Sequence, residues 1–520
     1  MTKRTRAVII YGLMFLFTVV LMSSTRFFFL SKDFGHDAGI FAYIGFAITK
    51  GRQLYLGAWD NKGPLLYLIN ALGILIDHRY GITLLEFITL FSSVILLYKT
   101  ASLFVSKEIS MACAIFSMMS LTSNLEGGNL AEEYALPFTI LAFYFIAKYV
   151  KNDLCLKKYE MVITGMSIAA VFLIRLNILA FLGCAVIGII IILVKKKEYK
   201  KLRDVCLFAL LGFVLFIIPF AIYLAYKGVL KACIDIAYFQ VLGTFSGITL
   251  TERMLNILDM VLETAKSGTL FVVICFMFFF VLSLKNPKKE DDSFNKLSWM
   301  ALFGLITTFL ANSLSGARHL HYFISFVPVM IIPAVAFAKL VIGLIDLKAS
   351  GKHKTDDFKS VAVIVLMLAI SLPCLINYSL TVFDNMSSKS TLVYEYYTEQ
   401  INDYILENTT EADTIEVIGY KSAITSYYST RRLAASNYFY FANGRFSEES
   451  KTEFATKILE DVMNNHPKLI MFEKIANEDG VLKQDDFLDH CGDINGWNDF
   501  INEYYVSVEN NFNYVIYKHK

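Results

Sequence analysis

Residues 31–65 read SKDFGHDAGIFAYIGFAITKGRQLYLGAWDNKGPL, and they stand between two long apolar runs at 7–30 and 81–105. Two segments of this region, 38–49 and 64–76, are apolar but only about a dozen residues long. A membrane-spanning helix needs roughly 20 mostly apolar residues, whereas lengths near a dozen suit interfacial or re-entrant helices. Residues 31–80 therefore read as one large loop with two helices lying along a membrane surface.

Outward from this loop the chain is strongly apolar. Hydrophobic residues make up 56% of the 520, charged residues 18%, and mean hydropathy is +0.52. A soluble domain usually carries about 25% charge, so the balance points to lipid. The 44 Phe and 29 Tyr suit apolar spans with rings at the membrane interfaces. Further runs at 109–124, 135–150, 161–176, 178–194, 205–226, 268–284, 297–315, 322–345 and 360–383 bring the expectation to about eleven transmembrane helices. The first run follows Lys3, Arg4 and Arg6. It is too long for a signal-peptide core and lacks a clear A-x-A site, so it reads as an uncleaved first span.

Orientation follows from the cations. With the N-terminus inside, the alternate loops hold Lys99 and Lys107, then Lys148, Lys151, Lys157 and Lys158. Lys195, Lys196, Lys197, Lys200, Lys201 and Arg203 follow, then Lys285, Lys288 and Lys289, and last Lys348, Lys352, Lys354 and Lys359. All fall on the cytoplasmic side of an eleven-span count, as the positive-inside rule asks. An odd count leaves the C-terminus outside, so a multi-pass cell-membrane protein with an extracytoplasmic C-terminal region is expected. A crossing by 64–76 would put every later lysine loop on the wrong side.

The texture changes near 384. Residues 384–520 hold no spanning run. A helical rhythm at 391–408 precedes a strand-like run, 414–419, and a helical stretch near 448–464 precedes another, 468–473. The closing pair 504–508 and 513–518 looks like a hairpin around Asn510 and Asn511. The expected domains are thus a transmembrane one, 1–383, and a small α/β one, 384–520. No GxGxxG or GK[ST] loop occurs in the latter, so it is assigned no nucleotide chemistry.

Several classes are disfavoured. Net charge is +2 without a basic block bearing interleaved aromatics, which argues against nucleic acid. Cys113, Cys155, Cys184, Cys206, Cys233, Cys275, Cys374 and Cys491 are scattered without a CxxC pair, so neither a disulfide framework nor a zinc site is suggested. The rival to an enzyme is a transporter or lipid flippase of envelope glycolipids, which would place charges in mid-span and show two matching halves. Mid-span charge is sparse, Glu86 being the main exception, and no repeat is seen.

The chemistry concentrates in the opening stretch. Asp37 begins a helix with an apolar side of Ile40, Phe41, Ile44 and Ile48, and an N-cap accounts for it as a structural residue. The alternative is a general base: a carboxylate at the membrane surface takes a hydroxyl proton while a nearby lysine holds a phosphate. Asp37, Tyr43, Ala47, Gly51, Tyr55, Trp59, Asp60, Lys62, Pro64 and Leu65 stand in the order of a known pattern. The stretch resembles the first outer loop of the C-type (GT-C) glycosyltransferase superfamily, nearest to protein O-mannosyltransferases and aminoarabinose-lipid transferases. Asp37 is followed by Ala38 where that family often has a second acid, and Lys62-Gly63-Pro64-Leu65 stands for Lys-Pro-Pro-Leu. No WWDYG string of the oligosaccharyltransferases occurs.

The resemblance implies a membrane glycosyltransferase moving a sugar from a polyprenyl-phosphate donor to a glycan, lipid or protein acceptor of the cell envelope. Asp37 would be the base, Lys62 would contact the donor phosphate, and Tyr43, Tyr55 and Asp60 would line the substrate cavity. Fixed cations can hold a monophosphate leaving group, so no metal or other cofactor is expected. Glu132 and Glu133, in the acidic loop with Glu126, are either helix caps or the second acidic site of such enzymes. Arg318, His321 and Tyr322, in Arg318-His-Leu-His-Tyr322, suit a lipid phosphate, although Arg318 also fits an interfacial anchor. Related transferases carry a similar Arg-x-x-His-Tyr. Arg175 is a further phosphate-binding candidate, since arginine at membrane depth is expensive, though it can also snorkel.

Overall fold

The computed structural model describes residues 2–23, 25, 36–78, 80–119, 125, 127–240, 249–285, 292–313, 319–348, 356–387, 392–418, 422–440, 448–473, 475–476, 482–483, 496–508 and 514–520. The chain is mostly helical with a small mixed sheet near its C-terminus. It divides into two compact units: Met1–Phe28 with Leu84–Tyr223 and Phe245–Phe383, and Phe29–Thr83 with Leu224–Thr244 and Asp384–Lys520.

The helical unit supplies most of the membrane helices. Six described helices are long and apolar enough to cross a bilayer: Arg4–Met22, Gly81–Ala101, Leu176–Lys195, Tyr199–Tyr226, Asp292–Ser313 and Leu320–Leu347. Two bent pairs, Leu250–Lys266 with Thr269–Lys285 (92°) and Asp356–Ile370 with Leu372–Phe383 (58°), bring the number to eight if each pair is one span. About eleven were expected; the remaining three runs form helices outside this set. The runs at 109–124, 135–150 and 161–176 form helices Lys107–Met119, Ala131–Lys151 and Lys158–Ile174. The last has 17 residues, and the first runs up to the edge of the described residues at Met119. The middle one is long enough, but Glu132, Glu133, Lys148 and Lys151 interrupt its apolar character. Burial separates the long helices: 67% of the most apolar window of Leu320–Leu347 is buried, against 6% for Tyr199–Tyr226. The latter shows Leu207, Leu210, Leu211, Leu215, Ile218 and Ile222 to its surroundings, as a lipid-facing helix does.

The second unit contains both loop helices, His36–Thr49 and Pro64–Ile76. The latter starts with proline at N1, where a missing N–H costs nothing. Its 13 residues reach about 20 Å, short of the roughly 30 Å hydrocarbon core. Gly45 lets the two helices meet closely, because a Cβ there would lie 2.7 Å from Asn70 Cβ and 2.8 Å from Ala71 N. Residues 38–47 are buried all round, as expected of a helix wedged between neighbours.

The C-terminal sheet is built from β1 (Thr414–Ile418), β2 (Leu433–Ala434), β3 (Leu469–Glu473), β4 (Tyr505–Val508) and β5 (Tyr514–His519). Its order is β2-β1-β3-β5-β4, with β1 parallel to β2 and β3, and β5 antiparallel to β3 and β4. The expected strands and closing hairpin strands are present; Asn510 and Asn511 lie outside the described residues. Helices Ser422–Thr430 and Glu448–Asn465 make the parallel connections, as crossovers require. Ile458, Leu459 and Val462 pack on Ile470 and Phe472, with Trp497 and Phe500 closing the core. One acid is inside this sheet: Glu416 on β1, where burial pushes its carboxyl up to about 8. Its Oε2 accepts the Ser436 N–H at 2.8 Å.

Candidate functional site

The candidate residues divide between the two units. In the second, Asp37 is the second residue of its helix rather than the cap, in the turn where the helix dipole favours a negative charge. His36 Nδ1 lies 3.2 Å from Asp37 Oδ1. The Asp37 side chain is one-third exposed (33%), next to the buried stretch 38–47 of its helix.

From this helix the chain folds into a tight loop. Tyr55 has φ +69° and donates its hydroxyl to the Lys62 carbonyl at 2.9 Å. The Lys62 N–H donates to Tyr67 Oη at 3.0 Å, and Tyr67 donates onward to Asp60 Oδ2 at 2.7 Å. Burial, then the Asp60 charge, hold the Tyr67 hydroxyl well above the usual tyrosine range, which keeps it a donor. The second Asp60 oxygen accepts from Tyr440 at 3.0 Å. Lys62 Nζ donates to Asn61 Oδ1 at 2.8 Å and stands 5.9 Å from the centre of the Phe41 ring. Among the described residues no carboxylate pairs with it. Tyr43 accepts the Ala434 N–H at 2.9 Å. Tyr43, Tyr55 and Asp60, expected along a substrate cavity, are all buried with their polar atoms engaged inside this unit.

The helical unit gathers the remaining candidates. Glu132 and Glu133 open helix Ala131–Lys151, both buried. Arg175 follows helix Lys158–Ile174 and forms an ion pair with Glu132. Its guanidinium stands 4.7 Å from the centre of the Tyr322 ring, a cation–π contact. Tyr322 lies in the 3-10 segment Leu320–Phe326, whose backbone is held by Asn312 Nδ2 donating to the Tyr322 carbonyl at 3.0 Å. His321 packs edge-on against Tyr322 with ring centres 4.8 Å apart. Arg318 and Glu126 lie outside the described residues.

Two features of this cluster escape a sequence reading. Glu86, noticed as a mid-span charge, is buried beside the Glu133 carboxyl and the Asn129 backbone. Gly128, at φ +88°, makes room for it: a Cβ there would lie 2.2 Å from Glu86 Oε1. Asn129, at φ +57°, accepts the Tyr134 hydroxyl at 2.8 Å. The Gly127-Gly-Asn string was the available signal for such backbone conformations. For Tyr67 and Tyr440 there was none. Among the described residues no group of three or more His, Cys, Asp or Glu side chains is placed to hold a metal ion.

A family model described as "Putative competence-induced protein Ccs4 N-terminal domain" matches residues 6–388. No curated protein matches the sequence. Among solved structures the chain is similar to ArnT from Cupriavidus metallidurans bound to undecaprenyl phosphate, at 12% identity, covering 99% of this chain and 98% of that one with a TM-score of 0.60. It is also similar to the archaeal oligosaccharyltransferase AglB from Archaeoglobus fulgidus, in complex with an inhibitory peptide and a dolichol-phosphate. There the identity is 13%, the coverage 91% and 70%, and the TM-score 0.52. At such identities the likeness speaks for the fold: the chain matches GT-C glycosyltransferases over nearly its whole length.

Proposed function

The chain belongs to the competence-induced Ccs4 N-terminal domain family, and on that premise, joined to its GT-C fold, we propose that it is an integral membrane glycosyltransferase. It moves a sugar from a polyprenyl-phosphate donor to a cell-envelope or protein acceptor on the extracytoplasmic side. The observation that carries this reading is Lys62. Its backbone is held on both sides by tyrosines, and its ammonium has an amide oxygen and a ring face for company rather than a carboxylate. A cation held that way suits a phosphate.

In the reaction, Asp37 takes the acceptor hydroxyl proton as that oxygen bonds to the anomeric carbon. The bond from that carbon to the phosphate oxygen breaks, and the polyprenyl phosphate leaves with the electron pair. Lys62 and Arg318 hold the charge that grows on it, with Arg175, His321 and Tyr322 in support. Glu132 orients Arg175, and Glu133 belongs to the second acidic site. Residues 1–383 with loop 31–80 form the catalytic domain, and 384–520 cover the outer cavity or select the acceptor. Eleven crossings, three of them by the short or charged helices, satisfy the lysine pattern.

Mass spectrometry of envelope glycans and glycoproteins tests the activity. Cells lacking the gene should lose one sugar and accumulate its polyprenyl-phosphate donor. Unchanged glycans in every envelope fraction would rule the proposal out. Orientation has its own test. A C-terminal alkaline phosphatase fusion should be active and a C-terminal green fluorescent protein dark, and the reverse would mean that 64–76 crosses.

A further inference from the structure

We infer that Asp60 and Tyr440 are positioning residues through which the C-terminal domain sets the direction of the Lys62 side chain. The inference rests on the reading of Lys62 as the donor-phosphate contact. Residues 59–63 lie between the two loop helices and form no helix or strand of their own, and a loop of that kind is ordinarily mobile. Here both peptide groups of Lys62 are tied: its carbonyl accepts from Tyr55 at 2.9 Å and its N–H donates to Tyr67 at 3.0 Å. Fixing both sides of one Cα fixes the direction in which its side chain leaves.

The tie depends on Asp60. Tyr67 Oη uses its proton on Asp60 Oδ2 at 2.7 Å and a lone pair on the Lys62 N–H. Asp60 is only 3% exposed, so it needs a second donor for Oδ1, and Tyr440 supplies it at 3.0 Å. Tyr440 is itself anchored through the sheet. Ala435 N–H donates to the Ile415 carbonyl at 2.9 Å, and Asp461 Oδ2 accepts from Ser436 Oγ at 2.9 Å and from Asn437 N–H at 3.0 Å. The Trp59 N–H reaches the Asn437 carbonyl at 3.0 Å, and its ring packs beside Tyr438 and Tyr440. A chain of hydroxyls and one carboxylate thus runs from the C-terminal sheet to the backbone of Lys62. The aromatic–acidic pair Trp59-Asp60 has a role there that does not require it to touch substrate.

Tyr440→Phe tests this, because it keeps the ring against Trp59 and removes only the hydroxyl. Donor KM should rise about tenfold, the scale of one charge-assisted hydrogen bond, with kcat within about twofold. In a Lys62→Ala background the same change should do nothing further, since coupled residues are not additive. A merely structural role would give the same loss in both backgrounds, and that result would overturn the inference. Asp60→Asn should repeat the non-additive pattern. Binding of undecaprenyl phosphate to the full chain in nanodiscs separates the two levels of the argument. If Lys62→Ala weakens binding and Tyr440→Phe does not, the positioning role is wrong and Lys62 keeps its own. If Lys62→Ala binds as the wild type does, the donor-contact reading fails and takes the positioning role with it.

Discussion

Asp37→Asn is expected to lower sugar transfer by at least about a hundredfold while the protein still inserts, folds and binds its lipid donor. A positioned general base contributes roughly 10²–10⁴-fold. Asparagine is nearly isosteric with aspartate but cannot accept the hydroxyl proton. The competing account makes Asp37 a helix-start residue, since it stands in the first turn of His36–Thr49 beside His36. That role is small in energy: a carboxylate near a helix N-terminus contributes about 0.3–1 kcal/mol, and a lost cap about 1 kcal/mol. The two accounts thus differ by orders of magnitude in turnover and hardly at all in stability. Single-turnover transfer in proteoliposomes, with a thermal melt of the same preparation, reads both. Near-normal turnover would return Asp37 to the helix start. The search for a base would then move to Glu132 and Glu133, because both oxygens of Asp60 already accept tyrosine hydroxyls.

What the sequence discloses and what it hides follow the range of the interactions concerned. The loop helices, the longer apolar helices and the strands at 414 and 469 are local features, legible from apolar length and spacing. The span count is not. Lys158–Ile174, apolar but just short of a full span, and Ala131–Lys151, long but charged at both ends, are not told from crossings by periodicity alone. Still less legible are the partners of the motif residues. Tyr440 is 380 positions from Asp60, and Arg175 is 43 from Glu132. Neither pairing leaves a trace in composition or spacing. The motif named the residues of the loop but not the residues that hold them, and the packing of that loop with the C-terminal residues had no local signature at all.

Arg175→Met carries the largest expected effect on stability. Glu132 is buried and Arg175 half-buried, with side chains 2% and 14% exposed, and they pair directly. Removing one partner of such a pair leaves an uncompensated charge in a low dielectric, which typically costs about 3–5 kcal/mol. The lost contact with the Tyr322 ring adds to this, by about 0.5–2 kcal/mol for a cation over an aromatic face. The double substitution Glu132→Gln/Arg175→Met removes both charges and should recover most of the loss, since a neutral pair of similar volume is often tolerated in place of a buried ion pair. Thermal melts of the purified single and double variants in the same detergent measure this directly. If Arg175 served only the donor phosphate, the single variant would melt with the wild type and lose turnover alone. Recovered stability with turnover still depressed in the double variant, and turnover retained in Glu132→Gln alone, would assign Arg175 both roles, holding Glu132 in the resting protein and meeting the leaving phosphate during transfer.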